Sequence, residues 1–266
     1  MDHRQTLALL MLMLLGLSQA HTDMDYGSET ADEADPLDMT SIILEMNNGS
    51  SEFLVEGDIV YPKNRNAMKC FRKKIACLWK KSANGKVEVP YMIHSVYTSA
   101  QKQMIKDALM EFHSKSCIRF VPYQGQRDYV IFESRFGCSS GLGHSGFKHS
   151  ISLSRFGCLH HGIIQHEVLH TLGFYHEHTR SDRDQYVKIN MENIPTHAAY
   201  NFQKQDTNNL NTPYDYSSIM HYGRTAFTNS PRKPSITPIP DPNVPIGQRI
   251  SMSDIDILRI NRLYKC

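Results

Sequence analysis

The stretch QHEVLHTLGFYHEH, residues 165–178, concentrates histidine and glutamate in a pattern that predicts a metal-binding helix. His166 and His170 are four residues apart, so on a helix both imidazoles lie on one face, about one turn apart. Glu167 follows the first histidine, where its carboxylate can reach a water molecule on a shared metal ion. The spacing therefore predicts two metal ligands and one general base on a single helix.

Gly173 and His176 extend this to the pattern H-E-x-x-H-x-x-G-x-x-H. Glycine adopts a left-handed backbone easily, so Gly173 can end the helix and let the chain bring His176 back to the same ion. Three histidines and one open position form a catalytic zinc site, whereas structural zinc sites have four protein ligands. A histidine-rich helix end without chemistry is disfavoured, because five identities stand at set spacings. His178 is interpreted as a hydrogen-bonded histidine rather than a ligand.

A second motif, DYSSIMHYG, follows the histidines and contains Met220 and Tyr222. A methionine beneath the ligands forms a soft apolar floor, although an ordinary core methionine is the alternative in a chain with 13 of them. A phenol near the metal can ligate it or donate a hydrogen bond to a developing oxyanion. We therefore expect Met220 to lie beneath the site and Tyr222 to act in catalysis with Glu167.

The first 20 residues have the organisation of a secretory signal peptide. His3 and Arg4 precede the apolar run LALLMLMLLGL, and small or polar residues end at Ala20. This run is too short to span a bilayer, which requires about 20 apolar residues, and no later segment is long and apolar enough. We expect a secreted, extracellular protein without a membrane span, with storage in secretory granules before release as one route. The even count of six cysteines agrees with disulfides in an oxidising compartment, but six cysteines leave 15 pairings open.

Charge divides the rest of the chain near Arg65. Residues 21–65 contain 11 acidic and two basic residues, whereas residues 66–266 contain 15 acidic and 26 basic residues. An acidic segment poor in large apolar residues cannot bury a core alone. It is either a solvated tail or a propeptide that lies on the basic domain until a protease cuts near Arg65. We favour the propeptide, which predicts a signal peptide at 1–20, a propeptide at 21–65 and a catalytic domain at 66–266.

Hydrophobic periodicity in the basic segment predicts an α+β fold: a mixed twisted sheet with two main helices, followed by an irregular C-terminal subdomain. One helix is predicted over residues 98–115 and another from about Gly162 to Leu172, and a last helix starts at Ser253. Its inward-facing residues are predicted to be Ile257, Leu258, Ile260 and Leu263. The predicted strands are Val87–Ile93, Ile118–Pro122, Tyr129–Glu133 and Ser150–Ser154.

The motif HEVLHTLGFYHEHTRSDRD, together with SIMHY, resembles the astacin family of zinc endopeptidases, a metzincin family with a two-subdomain fold. The resemblance extends over about residues 66–266. It implies that His166, His170 and His176 are the ligands of one zinc ion per chain. It also implies that Glu167 is the general base and that Tyr222 is a mobile fifth ligand. Glu177 matches the family glutamate that is buried and linked through water to the mature N-terminus. The expected partner is a protein substrate, with no nucleic acid.

The acidic segment shares a further feature with this family. Astacin propeptides carry a motif that resembles F-x-G-D, whose aspartate occupies the zinc and excludes water. FLVEGDIV places Asp58 at that position, in a partial match to the motif. The resemblance thus implies that Asp58 blocks the zinc site before processing.

The cysteines and the sequence NAMKC resemble, within the family, the six-cysteine fish hatching enzymes. The family pattern implies the disulfides Cys117–Cys266 and Cys138–Cys158, which leaves Cys70–Cys77 as a third pair. Hatching enzymes of this type degrade or swell the glycoprotein egg envelope, and this implies the same substrate here. Two alternatives remain open: an astacin acting on another extracellular protein in adult tissue, and a non-catalytic binding protein of the same fold. The loop from Cys138 to Cys158 departs from the family at Gly143-His144, which leaves subsite preference open.

Overall fold

The computed structural model describes residues 39–61, 77–230 and 233–266. The predicted signal peptide, most of the acidic segment before residue 39, the predicted cut at Arg65 and Cys70 lie outside the described residues. Within the described ranges, no helix is long and apolar enough to cross a membrane. The α-helices of this part of the chain are α1 (Met39–Asn47), α2 (Ser99–Lys115), α3 (His161–Thr171) and α4 (Asp254–Leu263).

A mixed sheet of seven strands forms the framework of the described residues, in the order β1-β2-β6-β7-β5-β3-β4. Strands β3, β4, β5 and β7 are parallel to one another, whereas β6 is antiparallel to β7. A second, antiparallel pair consists of β8 and β9. The strands are β1 (Leu54–Val55), β2 (Ile59–Val60), β3 (Val87–Ile93), β4 (Ile118–Pro122), β5 (Tyr129–Glu133), β6 (Cys138–Ser140), β7 (Lys148–Leu153), β8 (Val187–Ile189) and β9 (Ile236–Pro238).

Two helices pack against each other beside this sheet. In α2, Thr98 and Gln101 form a reciprocal capping box that satisfies free amide groups of the first turn. Its buried residues recur at helical spacing and face the core: Ile105, Ala108, Leu109 and Phe112. Helix α3 is buried along almost its whole length, from Gly162 to Thr171. A helix enclosed in this way can present polar side chains to a dry interior.

Two hydrophobic clusters divide the core. The first joins the sheet, α2 and α3, and includes Phe112, Phe132 and Leu169. The second lies in the irregular C-terminal part and includes Phe202 and Tyr222. Among the described residues, this part contains four short 3-10 helices: Glu177–Thr179, Arg183–Gln185, Met191–Asn193 and Thr196–Phe202. The architecture confirms the predicted α+β fold with its irregular C-terminal region.

Residues 39–61 of the acidic segment are folded onto the sheet, with a helix and two strands that periodicity did not predict. Ile43 of α1 is 1% exposed and belongs to the first cluster. The Asn47 amide donates to the carbonyls of Gly57 and Cys138 and accepts from the Cys138 amide. Strand β2 then pairs in parallel with β6. Strands of two residues are too short to show any period, so only contact with the sheet reveals them.

Other differences from the predictions are local. Strand β7 begins at Lys148 and ends at Leu153, rather than spanning residues 150–154. Leu258 of α4 is 37% exposed, so its predicted inward orientation is wrong, whereas Ile260 is 1% exposed. Ile257 and Leu263 pack against the first cluster. The buried face of the last helix therefore includes Ile257, Ile260 and Leu263 but not Leu258.

Disulfides join Cys117 to Cys266 and Cys138 to Cys158 among the described residues, which are the two pairings that the family pattern implies. The first connects the start of β4 to the C-terminal residue, 149 positions away. The second connects β6 to the loop before α3. Pairing of Cys77 with Cys70 stays a prediction, because Cys70 lies outside the described ranges.

Gly162 is required by a close backbone contact at the start of α3. A Cβ atom at this position would lie 1.7 Å from the Arg249 carbonyl oxygen. Because both groups belong to the backbone, we expect Gly162→Ala to lower the free energy of unfolding by about 2–3 kcal/mol and the Tm by about 4–12 °C. Thermal unfolding with Lys106→Ala, at an exposed position of α2, is the control. Equal Tm values for the two variants would contradict this contact.

Candidate active site

Three histidine side chains converge on one point beside α3. The Nε2 atoms of His166 and His176 lie 3.2 Å apart. Asp58 of the acidic segment reaches the same point: its carboxylate oxygens lie 3.0 Å from His166 Nε2 and 3.3 Å from the Nε2 atoms of His170 and His176. All four side chains are buried, and their ligand atoms lie within 4.8 Å of one another.

The local structure of α3 explains how three ligands meet. His166 and His170 lie on the same face of the helix, and their rings are 4.8 Å apart. Gly173 has a φ of +101°, in the left-handed region that the sequence pattern requires. Its amide donates to the His170 carbonyl. The chain then leaves the helix in an extended conformation and brings the His176 ring to 4.7 Å from that of His170.

The far ring nitrogen of each histidine donates a hydrogen bond, and this determines its tautomer. His166 Nδ1 donates to the Ile219 carbonyl at 2.7 Å, and His170 Nδ1 donates to the Phe174 carbonyl at 2.7 Å. His176 Nδ1 lies 2.8 Å from the Glu56 carboxylate. Because each Nδ1 keeps its proton and donates it in a hydrogen bond, each Nε2 atom directs a lone pair toward the centre.

This arrangement fits a zinc ion. Three nitrogen lone pairs and a carboxylate face one another without a shared proton, so they repel unless a cation lies among them. Zinc ligands stand about 2 Å from the metal in tetrahedral geometry, which separates them by about 3.3 Å. The distances of 3.0–3.3 Å from Asp58 to the histidine nitrogens agree with that spacing. The nitrogen and oxygen donors are also those that zinc prefers.

Glu167 directly follows His166 and is buried. Its side chain is 0% exposed, and neither carboxylate oxygen has a hydrogen-bond partner among the described residues. Burial raises the pKa of Glu167 well above its ordinary value, and the charge of Asp58 raises it further. A buried carboxyl group without a structural partner is typical of a group that exchanges protons with a substrate or water.

The segment around Met220 is hydrogen-bonded to His166 and to the residue that follows His176. Met220 is 2% exposed, and its carbonyl accepts a hydrogen bond from the Glu177 amide at 2.9 Å. Asp256 of α4 holds this segment, because its carboxylate accepts from the Ser218 hydroxyl at 2.6 Å and from the Ile219 amide at 3.1 Å. The same Ile219 carbonyl orients His166, so α4 positions a metal ligand through this turn.

Tyr222 is enclosed between the acidic segment and a histidine. Its ring stacks on that of His178 at 3.9 Å and lies 4.5 Å from that of His176. His178 in turn donates from Nε2 to the Asn201 carbonyl, so it supports Tyr222 and lies outside the ligand cluster. The Tyr222 hydroxyl donates to the Glu56 carbonyl. Burial raises the pKa of Tyr222 well above its ordinary value, so the phenol remains a hydrogen-bond donor.

Glu177 forms a buried ion-pair network directly after the third histidine. Arg259 of α4 binds both of its carboxylate oxygens, at 2.6 and 2.8 Å. Arg180 and the Asp215 amide donate to the same carboxylate. A cavity of about 390 Å³ borders His176 and Glu177 and is also lined by Cys77. Glu177 is therefore fully hydrogen-bonded, and unfilled space lies beside it.

Sequence reasoning missed three residues of this site: Glu56, Asp256 and Arg259. Asp256 stands three residues after Ser253, where a capping box is expected, and the structure contains that box. Its second contact, with the Met220 segment, has no sequence signal. Glu56 and Arg259 reach residues 120 and 82 positions away, respectively, so their contacts depend on the tertiary fold.

Comparison with known proteins gives consistent matches. The model of the Astacin peptidase family matches residues 72–265. The chain is 56% identical over 272 residues to low choriolytic enzyme of Oryzias latipes, covering 100% of both chains. It is 53% identical over 263 residues to high choriolytic enzyme 1 of that fish, covering 97% of both. A solved structure of high choriolytic enzyme 1, a hatching enzyme zinc-protease, matches with a TM-score of 0.72 at 56% identity, covering 76% of this chain and 100% of that chain.

The histidine cluster predicts one zinc ion per chain. His170→Ala removes one of three nitrogen ligands, so zinc affinity should fall by more than the roughly 10–100-fold typical of losing an outer hydrogen-bond partner. Elemental analysis measures the number of zinc ions per chain, and competition with a zinc chelator measures zinc affinity. His161→Ala, which changes an exposed histidine of the same helix, is the matched control. Retention of one tightly bound zinc ion by the His170 variant would exclude this ligand set.

Proposed function

Because the chain belongs to the astacin family of zinc endopeptidases, we propose that it is secreted as a zymogen and cleaves extracellular glycoproteins after processing. The observation that carries this proposal is the position of Asp58, whose carboxylate lies 3.0–3.3 Å from the Nε2 atoms of all three histidines. A catalytic zinc site needs one position free for water. Asp58 stands where water would have to enter.

The proposed organisation follows the charge boundary. Residues 1–20 act as a signal peptide, residues 21–65 as a propeptide, and residues 66–266 as the catalytic domain. The activating protease cuts near Arg65. Residues 39–61 support this role because they pack on the sheet and pair with β6, whose Ser140 amide donates to the Asp58 carbonyl. An extended peptide that approached the histidines along this edge would meet the same strand.

The proposed mechanism assigns distinct tasks to the residues of the processed site. His166, His170 and His176 hold the zinc ion. When bound, zinc lowers the pKa of water to about 7 and polarises a carbonyl group. Glu167 accepts the proton of the attacking water and later transfers it to the nitrogen of the leaving amine. Tyr222, released from the Glu56 carbonyl, donates a hydrogen bond to the developing oxyanion.

Glu177 is proposed to link processing to the completed site. A cavity of about 390 Å³ beside Glu177 and Cys77 offers space for the new N-terminal segment. The amino group that a cut near Arg65 creates is positively charged, and a buried carboxylate attracts it. Arg259 and Arg180 already neutralise Glu177 before processing. The new N-terminus would therefore add a water-mediated contact to an ion-pair network that already exists before processing.

The proposed substrate is the egg envelope at hatching. Relatives that are 53–56% identical over almost the whole chain are named choriolytic enzymes, and this supports the same class of substrate here. The excess of basic residues in 66–266 favours adsorption to an acidic, glycosylated matrix. The second candidate is an extracellular substrate in adult tissue. Expression in the embryonic hatching gland or in adult tissue distinguishes the two.

The general-base role of Glu167 can be tested on the processed enzyme. Glu167→Gln retains the size of the side chain but cannot accept a proton, so we expect kcat to fall by about 100–10,000-fold. Cleavage of casein and of isolated egg envelopes measures activity, and elemental analysis confirms that zinc is retained. Full activity in a zinc-containing variant would refute the mechanism. If the processed parent enzyme cleaved casein but had no effect on isolated egg envelopes, the proposed substrate would be refuted.

The blocking role of Asp58 can be tested on the uncleaved precursor. Asp58→Ala removes a charged group from the histidine cluster, and contacts of a charged group are worth about 1.5–3 kcal/mol, so peptide-cleaving activity of the precursor should rise by about 10–100-fold. Arg65→Ala in every sample prevents processing. Glu45→Gln, at an exposed position of α1, is the control and should remain latent. A latent Asp58 variant that still binds zinc would contradict the zymogen role of this aspartate.

A further inference from the structure

The outer hydrogen-bond partners of the three histidines come from two different parts of the chain. The partners of His166 and His170 are backbone carbonyls of Ile219 and Phe174. Both belong to the proposed catalytic domain and remain after processing. The partner of His176 is the Glu56 carboxylate, at 2.8 Å from Nδ1. This acceptor belongs to the segment that processing removes.

The Glu56 side chain occupies a well-defined buried site. It is 1% exposed, and one carboxylate oxygen also accepts from the His176 amide at 3.3 Å. The other oxygen accepts from the Gln205 side chain at 2.9 Å. The backbone of Glu56 has a φ of +51°, which is uncommon for a residue other than glycine. Contacts on both oxygens and an unfavourable backbone conformation indicate that this carboxylate is held at His176 by the surrounding structure.

We propose that Glu56 is a positioning residue for zinc in the precursor, acting through His176. A carboxylate that accepts a hydrogen bond from the Nδ1–H group fixes the orientation of the ring and makes its other nitrogen a stronger donor to the metal. Loss of such a partner typically lowers metal affinity about 10–100-fold. This inference rests on the proposed zinc-binding role of His176 and on the proposed removal of residues 21–65.

The consequence is that the acidic segment both blocks the zinc site and strengthens it. Asp58 faces the Nε2 atoms of the ligands, whereas Glu56 contacts the opposite nitrogen of His176. Two residues of one short segment therefore act on the two sides of the same imidazole ring. Zinc is therefore held more tightly in the precursor than in the processed enzyme, and processing releases a carboxylate from each side of this ligand.

Zinc affinity of the uncleaved precursor tests the proposal. All samples carry Arg65→Ala to prevent processing, and competition with a chelator of known affinity measures binding of zinc alone. We expect Glu56→Ala to weaken binding about 10–100-fold. Glu56→Gln should lie between this variant and the parent, because the amide still accepts from His176 but carries no charge. Glu52→Gln is the matched control, since Glu52 is a carboxylate of the same segment that pairs with Arg135.

Hydrogen exchange of residues 39–61 separates positioning from anchoring of the segment. In the Glu56→Gln variant, residues 39–61 should be as well protected from hydrogen exchange as in the parent, although the variant binds zinc more weakly. Equal zinc affinity of Glu56→Gln, Glu56→Ala and the parent would overturn the proposal. The proposal would also be overturned if zinc affinity fell only in variants in which residues 39–61 lose protection from hydrogen exchange. Glu56 would then only anchor the segment.

A further variant, His176→Ala, distinguishes failure of this inference from failure of the proposed site. Weak zinc binding by His176→Ala with normal binding by both Glu56 variants would reject the role of Glu56 alone. Normal zinc binding by His176→Ala would reject the ligand assignment itself, and the role of Glu56 with it.

Discussion

The convergence of three imidazole lone pairs on one buried point is the constraint on which the rest of this structure depends. Each Nδ1 proton is directed to an acceptor, so the Nε2 atoms have no protons to share with one another or with Asp58. In a dry interior such a cluster is unfavourable without a cation. The fold therefore encodes a zinc site through the positions of acceptors as much as through the histidines themselves.

These acceptors are held by elements far apart in the chain. Asp256 at the start of α4 binds the segment that presents the Ile219 carbonyl to His166. Arg259, one turn later, binds the Glu177 carboxylate directly after His176. Removing one partner of a buried ion pair typically costs about 3–5 kcal/mol, so the pair of Arg259 with Glu177 ties the C-terminal helix firmly to the end of the histidine cluster. Helix α4 thus has a role in the site although it contributes no ligand.

The acidic segment covers the groups that the proposed mechanism needs. It extends the sheet at β6, places Asp58 on the histidines and engages Tyr222 through the Glu56 carbonyl. The proposed inhibition is consequently distributed over a strand pairing, a carboxylate and a backbone acceptor. The proposed removal of the segment would change each of these contacts at once, which would give processing a direct physical route to the catalytic groups.

The sequence by itself determined the elements and ligands that depend on local spacing. The bounds of β3, β4 and β5 agree with their apolar patterns, α3 follows from the H-E-x-x-H motif, and the φ of Gly173 agrees with its position in the pattern. These features involve residues a few positions apart, where backbone geometry alone decides which side chains share a face. Only the tertiary structure decided which distant residues complete the site. Glu56 meets His176 across 120 positions, and the two-residue strands around it have no period of their own. Arg259 lies on a helix whose sequence predicts its start but not its contact with Glu177. Such contacts arise when separate segments pack against one sheet, and no local pattern records which buried charges will then meet.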